Sequence, residues 1–204
     1  MMLRLRRFAF LAVALTASAT GTASAAKFNK VLDVGQPAPA WKDLAGTDGK
    51  SHSLADHKDA KVLVVIFTCN HCPVAQAYEE RLKSIVKDYG KKGVELVAIN
   101  VNTSDADKLE AMKKHAAERE FNFDYLYDPS QKIGRAFGAN VTPHAFVLDK
   151  DRKIAYMGAI DNSMDPAKVE STYLLDAIDA LLAGEKPEIT EMRQFGCGIQ
   201  YNPE

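Results

Sequence analysis

The chain has 204 residues, with 26 lysines and arginines against 27 aspartates and glutamates, a net charge of −1 and 47% apolar side chains. That balance argues against a nucleic-acid partner, and the absence of repeats and low-complexity tracts excludes solenoid and disordered architectures. Three cysteines do not make a disulfide framework, which wants an even number of well-separated ones.

Arg4, Arg6 and Arg7 precede the apolar run Phe8 to Leu15, and small residues ending Ala23-Ser24-Ala25 follow. This is the order of a secretory signal peptide cleaved after Ala25, and it points to a periplasmic or otherwise exported protein. An uncleaved anchor is the competing reading, since roughly 20 uncharged residues span a bilayer. The Ala, Ser, Thr and Gly of the second half speak against it, so no stable membrane insertion is expected after cleavage. Arg6-Arg7 leaves both general secretion and twin-arginine export open. Residues 26–204 then carry 23 basic and 27 acidic groups, net −4, and suffice for one domain with a sizeable core.

Within that domain, Gly35-Gln36-Pro37 and Gly46-Thr47-Asp48-Gly49 predict an N-terminal hairpin. Val62 to Phe67 is six consecutive apolar residues, a strand buried on both faces. Val74, Tyr78, Leu82, Ile85, Val86 and Tyr89 recur at helical spacing until Gly90 ends the pattern, and Val94 to Ile99 is a second buried strand. Strand, helix and strand in this order predict a βαβ unit with a parallel sheet. Residues 105–118 predict a helix on the other side of that sheet, and Asp128-Pro129 opens a short helical segment to Phe137. Ala145 to Leu148 is a third strand, and Asp149 to Arg152 turns the chain into an antiparallel edge partner at Lys153 to Met157. An amphipathic helix over 166–182 closes the core, and 184–204 is a tail without periodicity.

The tetrapeptide Cys69-Asn70-His71-Cys72 falls where the first buried strand hands over to the following helix. Reactive groups sit at that edge of open α/β sheets. Unpaired N–H groups and the helix dipole there favour an anion, so Cys69 is expected to be a nucleophilic thiolate of lowered pKa. Cys72, a turn further on, is placed to attack a mixed disulfide on Cys69 and release the product. Pro73 fits a first helical turn, whose N–H would lack an intrahelical partner anyway. His71 between the cysteines is expected to stabilise the thiolate. A zinc site would need a second pair of ligands, which is missing. Cys197, in Phe195-Gly196-Cys197-Gly198, is a candidate auxiliary thiol, because flanking glycines allow close backbone approach.

These features resemble the thioredoxin superfamily, in particular the exported thioredoxin-like branch that overlaps with redoxins and peroxiredoxin-like (alkyl hydroperoxide reductase and thiol-specific antioxidant) proteins. The resemblance covers about residues 34–183, through Gly35-Gln36-Pro37-Ala38-Pro39, Val64 to Pro73, Asp128-Pro129-Ser130 and Val141-Thr142-Pro143. It implies an α/β thioredoxin-like fold: a central mixed sheet flanked by helices, with an N-terminal hairpin and an insertion before the cis-proline strand. It further implies thiol–disulfide oxidoreductase activity without cofactor or metal, acting on thiol- or disulfide-containing proteins and a redox partner. By the same resemblance Thr142–Pro143 is a cis bond facing the active-site sulfurs. Two departures stand out: Thr68 replaces the tryptophan usual before the first cysteine, and Leu63 stands where thioredoxins bury an acid. A peroxiredoxin alignment would put Cys72 on the peroxidatic cysteine, with Cys69 and Val65 in place of its threonine and proline. A copper metallochaperone would instead use Cys72-Pro73 with His144.

Overall fold

A computed structural model describes residues 26–203; the expected signal peptide lies outside the described residues. In chain order the elements are β1 (Leu44–Gly46), β2 (Ser51–His52), β3 (Val62–Phe67), α1 (Pro73–Tyr89), β4 (Val94–Asn100), α2 (Leu109–Glu118) and β5 (Asp124–Tyr127). There follow α3 (Lys132–Phe137), β6 (Val141–Thr142), β7 (His144–Leu148), β8 (Ile154–Gly158), α4 (Tyr173–Leu182) and β9 (Cys197–Gly198). Seven strands form one mixed sheet in the order β2-β1-β5-β4-β3-β7-β8, and β6 pairs with β9 apart from it. β3, β4 and β5 run parallel, whereas β7, β8 and the β1–β2 hairpin add antiparallel edges.

The unbroken apolar run of β3 follows from its central place, where side chains alternating across the sheet meet a core on either side. Val62, Val64 and Ile66 pack with Tyr78, Leu82 and Ile85 of α1 and Leu174, Ala177 and Ile178 of α4. Leu63, Val65 and Phe67 face Trp41, Phe137, Phe146 and the tail residue Ile199. Each fully buried side chain of this size contributes about 1.5–3 kcal/mol. Leu63, where thioredoxins bury an acid, is therefore an apolar core residue here.

Three expectations are corrected. The helix expected across the sheet from α1 lies beside it: Met112 of α2 packs on Ala98, which shares the alternating face of Val94 and Leu96. His115 Nε2 meets Glu79 Oε1 at 2.5 Å, and Lys83 donates to the Arg119 carbonyl at 2.9 Å, tying α2 to α1. The opposite face is already covered by Leu32, Trp41 and α3. The last helix is shorter than its periodicity: a 3₁₀ turn at Pro166–Lys168 is followed by extended chain before α4. There Asn162 Oδ1 accepts from the backbone of Glu170 and Ser171 at 2.9 and 3.1 Å, satisfying donors that a helix would otherwise use. Finally, β5, β6 and β9 were not expected; all three are four residues or shorter and carry no clear alternation.

Candidate active site

β3 ends at Phe67, and the Thr68 N–H still donates to the Ile99 carbonyl at 3.0 Å before the chain leaves the sheet. Thr68 is buried at this strand end. Cys69 follows, only 3% exposed, with its Sγ 3.1 Å from Thr142 Oγ1. Cys72 is the N-cap of α1, its sulfur accepting from the Ala75 N–H at 3.5 Å, and Pro73 takes the first helical position. The same sulfur lies 3.3 Å from the Thr142 carbonyl oxygen. Thr142 thus touches both cysteines, with its hydroxyl on one and its carbonyl on the other. The Thr142–Pro143 peptide is cis.

Cys72 is disulfide-bonded to Cys197, with Cα atoms 6.0 Å apart, and Cys69 is a free thiol. The tail is brought there by β9, in which Cys197 stands opposite Thr142 and Gly198 opposite Val141. Gly196 has φ +155, and a Cβ on it would sit 2.1 Å from the Thr142 carbonyl oxygen, so only glycine lets the two backbones approach this closely. The strap 193–198 is pinned at both ends. Upstream, the Met192 N–H donates to the Met157 carbonyl at 3.1 Å. Downstream, Ile199 enters the core, Tyr201 Oη donates to the Ala139 carbonyl at 2.7 Å, and Gln131 Nε2 to that of Gln200 at 2.9 Å.

The residues between the cysteines are held from β4 and the turn that follows it. Asp107, fully buried, accepts the Asn70 N–H at 2.8 Å and Asn100 Nδ2 at 3.1 Å on Oδ1. Its Oδ2 takes the Ser104 hydroxyl and His71 Nδ1, each at 2.5 Å. Asn70 is locked as well, its side chain donating to the Ala106 carbonyl at 2.7 Å and accepting from Tyr125 Oη at 2.8 Å. Burial alone would raise the Asp107 pKa, but the Ser104, Asn100, Asn70 and His71 donors outweigh it and hold the carboxyl below its usual range.

For Cys69 the balance runs opposite to the expectation of a lowered pKa. Burial pushes the thiol up; the Thr142 hydroxyl pulls it down, the Asp107 charge pushes it up again, and the N–H groups of Cys72 and His71 only partly compensate. The helix terminus does what was expected of it, but desolvation is larger. His144, at the start of β7, is 1% exposed with its ring on Phe146 and its Nδ1 without a partner. Burial lowers its pKa to about 3, so it is a neutral core residue. It does not gather with the cysteines: among the described residues the one cluster of three metal-ligating types is Cys69, His71 and Asp107, whose ligand atoms lie within 4.8 Å of one another.

Asp107, Asn100 and Tyr125 were missed from sequence. The available signal was Ser104-x-x-Asp107 just beyond the carboxyl end of a parallel strand, the edge where the Cys69 loop also sits.

A redoxin family model matches residues 33–173. Among curated proteins, the thiol-disulfide oxidoreductase ResA of Geobacillus thermodenitrificans is 28% identical over 123 residues, 59% of this chain and 66% of that relative's length. Among solved structures, an uncharacterized conserved protein from Geobacillus kaustophilus superposes with a TM-score of 0.80 at 34% identity, over 86% of this chain and 96% of the other. A putative thiol:disulfide interchange protein DsbE from Chlorobium tepidum gives 0.62 at 27% identity, over 74% and 99%. The family match, the mixed sheet and the two-cysteine loop beside a cis-proline agree, and the chain belongs to the redoxin family, within the thioredoxin superfamily.

Proposed function

We propose that this redoxin is an exported thiol–disulfide oxidoreductase in which Cys69 is the exchanging thiol, Cys72 its partner, and Cys197 a third sulfur that stores the oxidised state. The observation that carries this reading is the convergence of all three cysteines on Thr142: Cys69 on its hydroxyl, Cys72 on its carbonyl, and Cys197 opposite it in the β6–β9 ladder. Export rests on the pattern of residues 1–25, and no helix among the described residues is long and apolar enough to cross a membrane.

The exchange balances without an added oxidant. The Cys69 thiolate attacks Cys72 Sγ, the Cys69–Cys72 bond forms, and the Cys72–Cys197 bond breaks with Cys197 leaving as the thiolate. A thiol of a substrate protein then attacks Cys69 and releases Cys72, and the substrate's second thiol resolves the mixed disulfide. The substrate leaves oxidised by two electrons and the Cys69–Cys72 pair is left as two thiols. Run backwards, the same steps reduce a substrate disulfide.

The test is trapping. Cys72→Ser combined with Cys197→Ser leaves Cys69 with no internal resolver, so mixed disulfides with partner proteins should accumulate on Cys69. Equal trapping by Cys69→Ser would reverse the assignment of roles.

A further inference from the structure

Burying a carboxylate is costly unless every lone pair is satisfied. Asp107 meets that condition, and two of its four donors, the Asn70 N–H and His71 Nδ1, belong to the loop between the cysteines. Both oxygens are already engaged twice, which leaves no lone pair for a cation, so the Cys69–His71–Asp107 cluster is not built as a metal pocket. With a thiol, an imidazole and a buried carboxylate within 4.8 Å of one another, it has instead the parts of a nucleophile, a base and the group that orients the base.

We propose that Asp107 is a positioning residue for exchange at Cys69: it fixes His71 with a proton on Nδ1, so that the Nε2 lone pair takes the proton of the Cys69 thiol. This deepens the function proposed above and rests on it. The Cys69 S–H bond breaks, its proton passes to His71 Nε2 and its electron pair stays on sulfur. The resulting imidazolium is stabilised by the Asp107 carboxylate. The thiolate attacks the disulfide sulfur, and the departing thiolate takes the proton back from His71. No charge is left over.

A buried thiol whose ionisation is opposed by burial and by the Asp107 charge has need of such a base. The groups facing Cys69 are His71 of its own loop, Asp107 from the turn after β4, Tyr125 of β5 and Thr142 of β6. Burial holds Tyr125 well above its usual range, so it stays neutral.

The positioning role and plain electrostatics differ in sign. Asp107→Asn removes a negative charge, which by itself would ease ionisation of Cys69 and speed its reactions. It also places an amide N–H against His71 Nδ1, forcing the proton to Nε2 and removing the base. The experiment is the rate of Cys69 alkylation by iodoacetamide from pH 5 to 9, read by mass spectrometry on the fragment containing Cys69, in the full chain with Cys72–Cys197 intact. Asp107→Asn should slow it on the order of 10²-fold at pH 7, the lower range for loss of a general base. Asp107→Glu should recover part of the rate. His71 has a side chain 42% exposed, so water can replace it as a donor to Asp107, and His71→Ala decides the matter if Asp107→Asn does not fold. It should give the same loss, and the double variant no more. Unchanged or faster alkylation in Asp107→Asn, or an unchanged profile in His71→Ala, overturns the proposal. A wild-type profile as expected, with no turnover of any disulfide substrate, would instead overturn the oxidoreductase reading and leave this one standing.

Discussion

Cys197→Ser removes a cross-link between residues 125 apart in sequence. The strap stays pinned at Met192 and Ile199 by contacts that do not involve sulfur, so the folded state changes little and the effect acts through the unfolded chain. Closing a loop of that length restricts the unfolded ensemble by about 5 kcal/mol. Set against a total of about 5–15 kcal/mol for a typical domain, that is a third or more of the stability. The assay is urea unfolding of the oxidised proteins, with free thiols blocked. Cys197→Ser should unfold at a markedly lower midpoint, with a steeper slope because the released chain exposes more surface. In thermal unfolding the loss corresponds to roughly 10–20 °C, at about 2–4 °C per kcal/mol for a domain of this size. Cys69→Ser, which leaves the bond in place, should match the wild type. Coincident midpoints for oxidised wild type and Cys197→Ser would refute the reasoning, because they would mean that the cross-link does not restrict the unfolded chain.

Gly196→Ala places a methyl 2.1 Å from the Thr142 carbonyl oxygen and should cost about 1–3 kcal/mol, as overpacking does. Quantitative disulfide mapping in a glutathione buffer should show less Cys72–Cys197 bond than in wild type. Thr142→Val deletes the hydroxyl that lowers the Cys69 pKa, so Cys69 should titrate higher and alkylate more slowly at pH 8, with Thr142→Ser restoring the rate. His144 is neutral in the folded state down to about pH 3, whereas in the unfolded state it takes a proton near 6.5. The unfolded state therefore binds more protons between those values, and stability should fall by about 1.4 kcal/mol per pH unit as pH drops through that window. His144→Phe should flatten that slope in urea titrations. Asp107, with its pKa lowered on folding, adds a loss only at lower pH: its contribution is intact above the unfolded carboxylate value of about 4 and disappears as pH falls through the folded one.

The thioredoxin-like framework was legible because β3 and β4 are continuous apolar runs and α1 repeats cleanly, which fixes where the Cys69 loop leaves the sheet. α2 was put on the wrong face because Met112 is its single fully buried side chain, too thin a stripe to say which face it covers. The Cys72–Cys197 pairing was beyond reach for a general reason: connectivity among cysteines is set by the folded path, and here the deciding contact is the β6–β9 ladder of two residues on each side. The pKa of Cys69 was misjudged because a helix terminus can be read from sequence, but the desolvation of one sulfur cannot. Asp107 escaped notice because exposed and buried acids look alike in a sequence. Only its four donors, gathered from Asn70, His71, Asn100 and Ser104, mark it out.

Three sulfurs around Thr142 should exchange in a fixed order, and acid-quenched disulfide mapping during a single turnover follows that order in time. Oxidised protein mixed with one equivalent of a cysteine peptide should pass through Cys69–Cys72 and then a peptide–Cys69 adduct while free Cys197 rises. A peptide found on Cys197 or Cys72 with Cys69 unmodified throughout would mean that the buried thiol takes no part in exchange.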